Sequence, residues 1–170
     1  DVVEVGGPVH YLHAGAGDDR VSLGGEARSV TLDEGDDVLL ARARVAGASG
    51  DEGDDRIVLA GGGSAHGGEG ADTLEAGGRT SGLFGNEGDD TFVFRFDGDP
   101  DGRHDMNGGA GHDVLELHFE ARDAHYDAVR EELAARWFDD TLHGRETGVT
   151  IVTRDVESIV LVVDGVEDAT

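Results

Sequence analysis

The sequence predicts an all-β protein whose parallel strands stack as a solenoid, and three observations support this fold class. Glycine supplies 29 of the 170 residues, far above its usual share of roughly 7%. Acidic side chains number 38 against 13 basic ones, which gives a formal charge of -25. Glycine and aspartate also recur together at a nearly constant interval, which indicates a repeat that adds one coil at a time.

Five segments align without gaps at this interval. They are AGAGDDRVS (14–22), LDEGDDVLL (32–40), GDEGDDRIV (50–58), GGEGADTLE (67–75) and GNEGDDTFV (85–93). The aspartate at the sixth place recurs at Asp19, Asp37, Asp55, Asp72 and Asp90, with equal steps except for one that is shorter by a single position, from Asp55 to Asp72. A sixth copy, GGAGHDVLE (108–116) with Asp113, follows after a longer interval and is expected to be out of register.

Each place in the repeat has a physical role. Glycines at the first, second and fourth places permit positive φ and let successive turns approach closely. Aspartates one coil apart would lie about one strand spacing, roughly 4.8 Å, from each other and would repel unless a cation lay between them. Such hard anionic oxygens favour calcium. The apolar residue at the eighth place is expected to face the interior, at Val21, Leu39, Ile57, Leu74 and Phe92.

These segments resemble the RTX family of haemolysin-type calcium-binding nonapeptide repeats, GGxGxDxUx with U a large aliphatic residue. The resemblance covers about residues 1–116 and implies a right-handed parallel β-roll, or β-solenoid, in which two nonapeptides complete one coil. It also implies about four to five Ca²⁺ ions on one side of the roll, each held between consecutive turns. The implied side-chain ligands are Asp19, Asp37, Asp55, Asp72, Asp90 and Asp113, with Asp1 for a possible fifth site. The implied main-chain carbonyl ligands are those of Gly15, Gly17, Asp33, Gly35, Asp51, Gly53, Gly68, Gly70, Asn86 and Gly88.

The alternate half of each coil departs from the motif. One nonapeptide on, the sixth place holds His10, Arg28, Ala46, approximately Ala65, and Ser81, without any aspartate. The eighth place stays apolar, at Leu12, Val30, Ala48 and Leu83. We therefore expect metal on one side only, with Arg28 donating hydrogen bonds to carbonyls on the other. The single shorter step coincides with Gly61–Gly63, where the missing residue should be absorbed.

The composition changes near residue 117, which predicts a repeat region at 1–116 and a C-terminal capping region at 117–170. Residues 1–116 contain 26 of the 29 glycines. Apolar residues at a period of three to four predict an amphipathic helix at about 120–138. Two apolar runs at about 148–153 and 156–163 predict strands, interpreted as a β-hairpin that covers the end of the solenoid. A dimer contact or part of an export signal are the alternatives for this region.

A separate acidic loop, DGDPDG, precedes the sixth copy of the repeat. Asp97, Asp99 and Asp101 alternate there as in the first half of an EF-hand loop, and Asp105 and Asp113 could complete a site. The bidentate glutamate expected at the twelfth place is replaced by Gly108. The sequence therefore leaves both an additional calcium site and a solvated acidic turn open.

Several function classes are disfavoured. All 13 basic residues are arginines and none forms a run, so nucleic acid and anionic membrane are poor partners. No apolar run is long enough to span a membrane. The chain has no cysteine, no HExxH, no GxSxG and no P-loop, and its eight histidines are scattered. We therefore expect no enzymatic activity in this chain.

The resemblance implies a calcium-binding module of a secreted bacterial protein, disordered without calcium and folded outside the cell after type I secretion. The alternative is a calcium-stabilised recognition or adhesion surface for a polysaccharide or a host receptor. Counting back one full step from Asp19 gives Asp1, so we expect a longer array. The activity of the parent protein, a toxin, protease, lipase or adhesin, would then lie upstream.

Overall fold

A computed structural model of the chain describes residues 1–77, 80–96, 102–119, 127, 129–131, 141–143, 149–163 and 166–168. Most of these residues lie in two sheets. The first sheet contains β1 (Val2–Val5), β3 (Arg20–Leu23), β5 (Val38–Ala41), β7 (Arg56–Leu59), β9 (Thr73–Ala76), β11 (Thr91–Phe96), β13 (Val114–Phe119), β16 (Ser158–Val163) and β17 (Val166–Asp168). The second contains β14 (Thr141–His143), β15 (Val149–Arg154), β12 (Gly102–Ala110), β10 (Gly82–Glu87), β8 (Gly62–Glu69), β6 (Val45–Glu52), β4 (Ala27–Glu34) and β2 (Val9–His13).

The chain alternates between the two sheets, so each coil adds one strand to each. Val21 pairs with Leu39 and Leu39 with Ile57, in parallel register. The step between these partners is the step of the aspartate repeat, so one repeat of the sequence makes one coil. The predicted all-β fold with stacked parallel strands is confirmed.

The interior between the sheets is a thin apolar core. The eighth-place residues predicted to face inward, Val21, Leu39, Ile57, Leu74 and Phe92, are all 0% exposed. In the other sheet, Val30, Ala48 and Leu83 are buried, and Leu12 packs against the core from the end of the sheet. Because each coil adds one or two apolar side chains per sheet, the core grows with the number of coils.

The shorter step is absorbed where the sequence indicated, next to Gly61. Ala41 pairs with Leu59 at the usual step, whereas Val45 pairs with Gly62, one position short of that step. The connection after β7 thus has two residues, 60–61, in place of three. The assignment of Ala65 to the sixth place was wrong by two positions, because Ala65 pairs with Ala48 and is itself buried in the core.

The sixth copy of the repeat lies in register, contrary to expectation. Thr91 pairs with Val114 and Leu83 with Met106, so both halves of this coil continue the stack. The five additional residues, 97–101, fall between β11 and β12. The prediction relied on the number of residues between repeats. Strand pairing does not depend on that number, because an insertion between two strands leaves their partners unchanged.

The predicted hairpin of 148–153 and 156–163 was wrong, although both strands exist. β15 pairs in parallel with β12, and β16 pairs in parallel with β13. Ile151 and Leu161 are 0% exposed in the core, so these strands form a further coil and carry the stack past residue 116. The boundary drawn at 116/117 falls within β13. The short strands β14 and β17 pair antiparallel with β15 and β16 at the end of each sheet.

Most of the helix predicted at 120–138 lies outside the described residues. Residues 127 and 129–131 are described and helical, and Val129 is buried in the core cluster. In the described part of the chain, no helix has the length and apolarity required to cross a membrane.

Candidate metal centre

The sixth-place aspartates form one line along an edge of the roll, which we call the aspartate column. Each follows a turn out of the second sheet and directly precedes a strand of the first sheet. All are almost inaccessible, with exposures between 0% and 5%, at Asp19, Asp37, Asp55, Asp72, Asp90 and Asp113. Charged side chains are rarely buried in this way unless they are paired or bind a cation.

Hydrogen bonds join each aspartate of the column to the next coil. The backbone N–H of Asp55 donates to Oδ1 of Asp72 at 2.8 Å, and the N–H of Asp72 donates to Oδ1 of Asp90 at 2.9 Å. The same contact links the other neighbouring pairs, and the last one joins Asp90 to Asp113 at 2.8 Å. One oxygen of each carboxylate thus fixes the spacing of the coils.

The second carboxylate oxygen has no partner within the described residues. Oδ2 is buried and accepts no hydrogen bond at Asp37, Asp55, Asp72, Asp90 and Asp113. A buried anionic oxygen without a donor carries its full desolvation penalty. Its recurrence in five successive coils indicates an arrangement suited to cations.

Main-chain carbonyl oxygens at the fourth place of the turn also indicate an arrangement suited to cations. The carbonyl oxygens of Gly35 and Gly53 are directed along the stack at the fourth-place glycine of the following turn. In the described turns these carbonyls accept no backbone hydrogen bond, whereas the third-place carbonyls accept one from the N–H of the fourth-place glycine. Gly17, Gly35, Gly53, Gly70 and Gly88 all have positive φ. Of the implied second-place carbonyls, those of Asp51 and Asn86 also point at the next turn.

The first-place glycines provide the space for the aspartate side chains. A Cβ on Gly50, Gly67 or Gly85 would overlap Oδ2 of the aspartate in its own turn. The carbonyl oxygen of the next first-place glycine lies close to the same point, and the oxygen of Gly85 would be 2.8 Å from a Cβ on Gly67. Each interval between turns therefore collects carboxylate and carbonyl oxygens.

Burial raises the pKa of these carboxyl groups because water no longer stabilises their charge. The pKa of Asp55 and of Asp72 rises to about 7, and that of Asp90 to about 6, from an ordinary 3.8. Hydrogen bonds from backbone N–H groups oppose the shift, and neighbouring carboxylates add to it. The pKa values of Asp37 and Asp113 are raised for the same first reason. A column of this kind favours bound protons or a bound cation at neutral pH.

The structure adds a residue that the sequence analysis missed, Glu157. Its Oε2 accepts the N–H of Asp113 at 2.7 Å, as the next aspartate would. The N–H groups of Glu157 and Ser158 both donate to the carbonyl of Asp113. Residues 108–113 lie between Asn107 and Val114, but only residues 155–157 lie between their pairing partners Arg154 and Ser158, so this shorter turn has no second-place or fourth-place carbonyls to offer. The signal in the sequence was the Asp-x-Glu before an apolar strand.

A second, exposed line of carboxylates was also missed. The fifth-place aspartates accept N–H groups from the next turn: Oδ1 of Asp36 from Asp54 at 3.0 Å, and Oδ1 of Asp54 from Ala71 at 2.8 Å. Asp18 and Asp89 accept in the same way. The paired Asp-Asp of the repeat thus has two roles, because the fifth place fixes the turn from outside and the sixth faces inward.

Other predicted site residues are placed differently. Asp1 continues the column through its main chain, because its amino group lies 2.6 Å from Oδ1 of Asp19, but its own side chain is exposed. Asp97, Asp99 and Asp101 lie outside the described residues. Asp105 lies in β12, and Asp113 belongs to the column. The side chain of Arg28 is exposed and, within the described part of the chain, donates no hydrogen bond to a carbonyl.

The acidic groups form a line, and do not converge on one point. Among the described residues, no group of three or more His, Cys, Asp or Glu side chains has the geometry of a metal cluster. Any cation in the column would therefore need main-chain oxygens as well as one or two carboxylates.

Comparison with known proteins gives no relative from which a function could be transferred. No protein-family model, no curated protein and no solved structure matches this chain.

Proposed function

We propose that the chain is a calcium-binding module that folds when calcium occupies the aspartate column, in the manner of RTX repeats. The observation that carries the proposal is the line of buried carboxylates, five of which have an oxygen that accepts no hydrogen bond from the described residues. Within the described turns, five intervals, from Asp19–Asp37 to Asp90–Asp113, combine two aspartates with fourth-place carbonyls that accept no backbone hydrogen bond. The interval from Asp113 to Glu157 is closed by direct hydrogen bonds instead.

The donor set favours calcium over other metals. Every candidate ligand is a carboxylate or carbonyl oxygen, and calcium accepts six to eight such oxygens in flexible geometry. Magnesium requires a smaller, near-octahedral set, and transition metals favour nitrogen or sulfur ligands, which the column lacks.

Calcium would supply folding free energy because the column opposes folding without it. Without a cation, buried carboxylates one coil apart repel each other, and the remaining charge of a chain with 38 acids acts in the same direction. Binding to the folded state alone shifts the folding equilibrium by mass action. We propose that the chain is disordered in the absence of calcium.

This behaviour would suit export. Extracellular calcium modules typically bind with dissociation constants of about 10⁻⁴ to 10⁻³ M. A chain with such sites would stay unfolded inside a cell and fold outside, which fits the proposed secretion by a type I system. No catalytic role is proposed for the chain.

Circular dichroism of the chain during a calcium titration tests the proposal. We expect a disordered spectrum in EDTA and a cooperative rise of strand signal as calcium reaches the millimolar range. Equal concentrations of magnesium serve as the matched control and should give little change. Strand signal of the same size in EDTA and in calcium would contradict the proposal.

A further inference from the structure

A second set of charged residues lies on the edge opposite the aspartate column, which we call the arginine edge. Its connections between strands are residues 6–8, 24–26, 42–44 and 60–61. Within these four described connections, the basic residues are Arg42 and Arg44, and Glu26 is the acidic one. Basic residues therefore outnumber acidic ones in these connections, whereas acidic residues are in excess in the protein as a whole.

A groove of about 390 Å³ opens on this edge. It is lined by Arg42, Ala43, Arg44, Ala60, Gly61 and Gly62. Its cause is the single shorter step of the repeat, because the three-residue connection 42–44 lies next to the two-residue connection 60–61. The missing residue leaves a gap in the surface between these two connections, and both arginines line this gap.

The backbone that carries the two arginines is fixed at both ends. The N–H of Arg42 donates to the carbonyl of Leu23 at 2.9 Å, and the carbonyl of Arg44 accepts the N–H of Ala27 at 3.0 Å. The side chain of Arg44 lies over Gly62, whose added Cβ would be 2.9 Å from Arg44 Cγ. Gly62 has a φ of +133°, so a glycine is favoured beneath this side chain.

Neither guanidinium has an acidic partner among the described residues, although acids are abundant. Arg56 and Arg95, by contrast, both pair with Glu75, at 2.7 and 2.6 Å. The aspartate column lies at the far ends of the strands, since the 4 residues of β5 separate Asp37 from Arg42, roughly 17 Å at about 3.3 Å per residue. Salt screens charges over about 8 Å under physiological conditions, so the column has little effect on an anion here.

We propose that this groove is an oxyanion site, which takes a sulfate or phosphate group through the guanidiniums of Arg42 and Arg44. The planar fork of arginine matches the oxygens of such groups, and a hydrogen bond between two charged groups is stronger than a neutral one. The groove has the volume of an ordinary ligand cleft, about 300 to 1,000 Å³, and so also admits an oxyanion carried as an ester on a larger molecule. The site uses none of the calcium ligands.

The test is a titration of the full chain in calcium with sodium sulfate, followed by NMR of the arginine Nε–H groups. Sodium chloride at equal ionic strength is the control. We expect saturable shifts at Arg42 and Arg44, and at least about tenfold weaker binding in R42Q and in R44Q. R20Q, which removes an exposed arginine near the other edge, should bind within about twofold of the unmodified chain. Glucose 6-sulfate forms a second arm, in which tighter binding than sulfate assigns an ester and equal binding assigns the free ion.

A second variant tests the groove itself. One glycine inserted between Ala60 and Gly61 restores a three-residue connection and fills the gap while both arginines remain. We expect this variant to lose saturable sulfate binding with its strand signal in calcium unchanged. The proposal would be overturned if sulfate shifted the Arg42 and Arg44 signals of the unmodified chain only linearly, as chloride does. It would also be overturned if the insertion variant bound sulfate as tightly as the unmodified chain. Calcium titrations of the same samples report the proposed calcium function independently.

Discussion

At the residue scale, the two oxygens of each column aspartate have separate roles. Oδ1 of Asp72 accepts the N–H of Asp55, whereas Oδ2 is buried and receives no hydrogen bond from the part of the chain that the structure describes. The first oxygen can be replaced by an amide oxygen, but the negative charge on the second cannot. A substitution that separates hydrogen bonding from charge should therefore affect the folded states with and without calcium in opposite directions.

Asp72→Asn makes that separation. Asn retains an oxygen to accept the N–H of Asp55 but removes a buried negative charge, so in EDTA at neutral pH the variant should show more strand signal than the unmodified chain. In calcium the midpoint of folding should move to at least about tenfold higher concentration, because each ion adjacent to residue 72 loses a charged ligand. Circular dichroism measures both. The control is Asp54→Asn on the exposed line, and equal effects of the two substitutions would refute the assignment.

Gly85→Ala tests the space reserved for the column. The new Cβ would overlap Oδ2 of Asp90 and lie 2.5 Å from the carbonyl oxygen of Gly108, so the free energy of unfolding in calcium should fall by about 1 to 3 kcal/mol. Gly47→Ala is the control, because its Cβ would meet no described atom within 4 Å, and the change should stay within about 0.5 kcal/mol. Urea denaturation in calcium compares them. Similar losses at both sites would contradict a specific role for Gly85 in making room for the column.

At the scale of elements, the turns and the strands have different tasks. The strands are held by pairing and by one or two apolar residues each, as in β5 with Leu39 and Ala41. The turns between the sheets carry the aspartate column on one edge and the arginine edge on the other. A turn contacts only the turns next to it. Each aspartate of the column is therefore repelled mainly by the aspartates of the neighbouring coils, and this repulsion adds up along the stack.

The column should make calcium binding depend on pH. The folded pKa of Asp55 and of Asp72 is raised by burial to about 7, above the ordinary 3.8. The metal-free roll therefore binds more protons than the unfolded chain. Proton binding stabilises the metal-free roll fully below about pH 4, and this stabilisation is lost as pH rises through about 7. Calcium displaces these protons, so its apparent affinity should rise between about pH 5.5 and 7.5.

Calorimetric calcium titrations in two buffers of different ionisation enthalpy would measure the protons released. The calcium concentrations at the folding midpoint, measured by circular dichroism at about pH 5.5 and 7.5, give the change in apparent calcium affinity. No proton release, together with a midpoint independent of pH, would contradict a buried carboxylate column as the binding site.

At the scale of the whole molecule, charge and compactness are linked. The formal charge of -25 would be only partly offset by about five divalent ions in the column. The molecule should remain acidic and soluble after calcium binds. Without calcium, the same charge should expand the chain.

Small-angle X-ray scattering tests this expansion. For 170 residues, the radius of gyration should fall from about 44 Å for an unfolded chain towards about 16 Å for a compact one as calcium is added. Sodium chloride of equal ionic strength is the control and should compact the chain only slightly, because screening does not supply ligands to the column. A radius near the compact value in EDTA would contradict the proposed disorder.

The sequence alone determined the repeating unit and its interior. The step from Asp19 to Asp37 set the length of a coil, and the apolar eighth place set the core, because a solenoid places residues one coil apart directly above each other. Glycines at fixed places predicted the turns, since positive φ is a local property of the chain. Local chemistry and period are sufficient for such features.

Only the tertiary structure decided how departures from the period are accommodated. It placed Asp113 in register despite the longer step from Asp90, and placed β15 and β16 in separate sheets where a hairpin was expected. It also brought Glu157, which is distant in sequence from Asp113, to the end of the column. Each of these depends on strand pairing and core burial, which act between residues close in space and tolerate insertions along the chain. Spacing in sequence cannot report that tolerance.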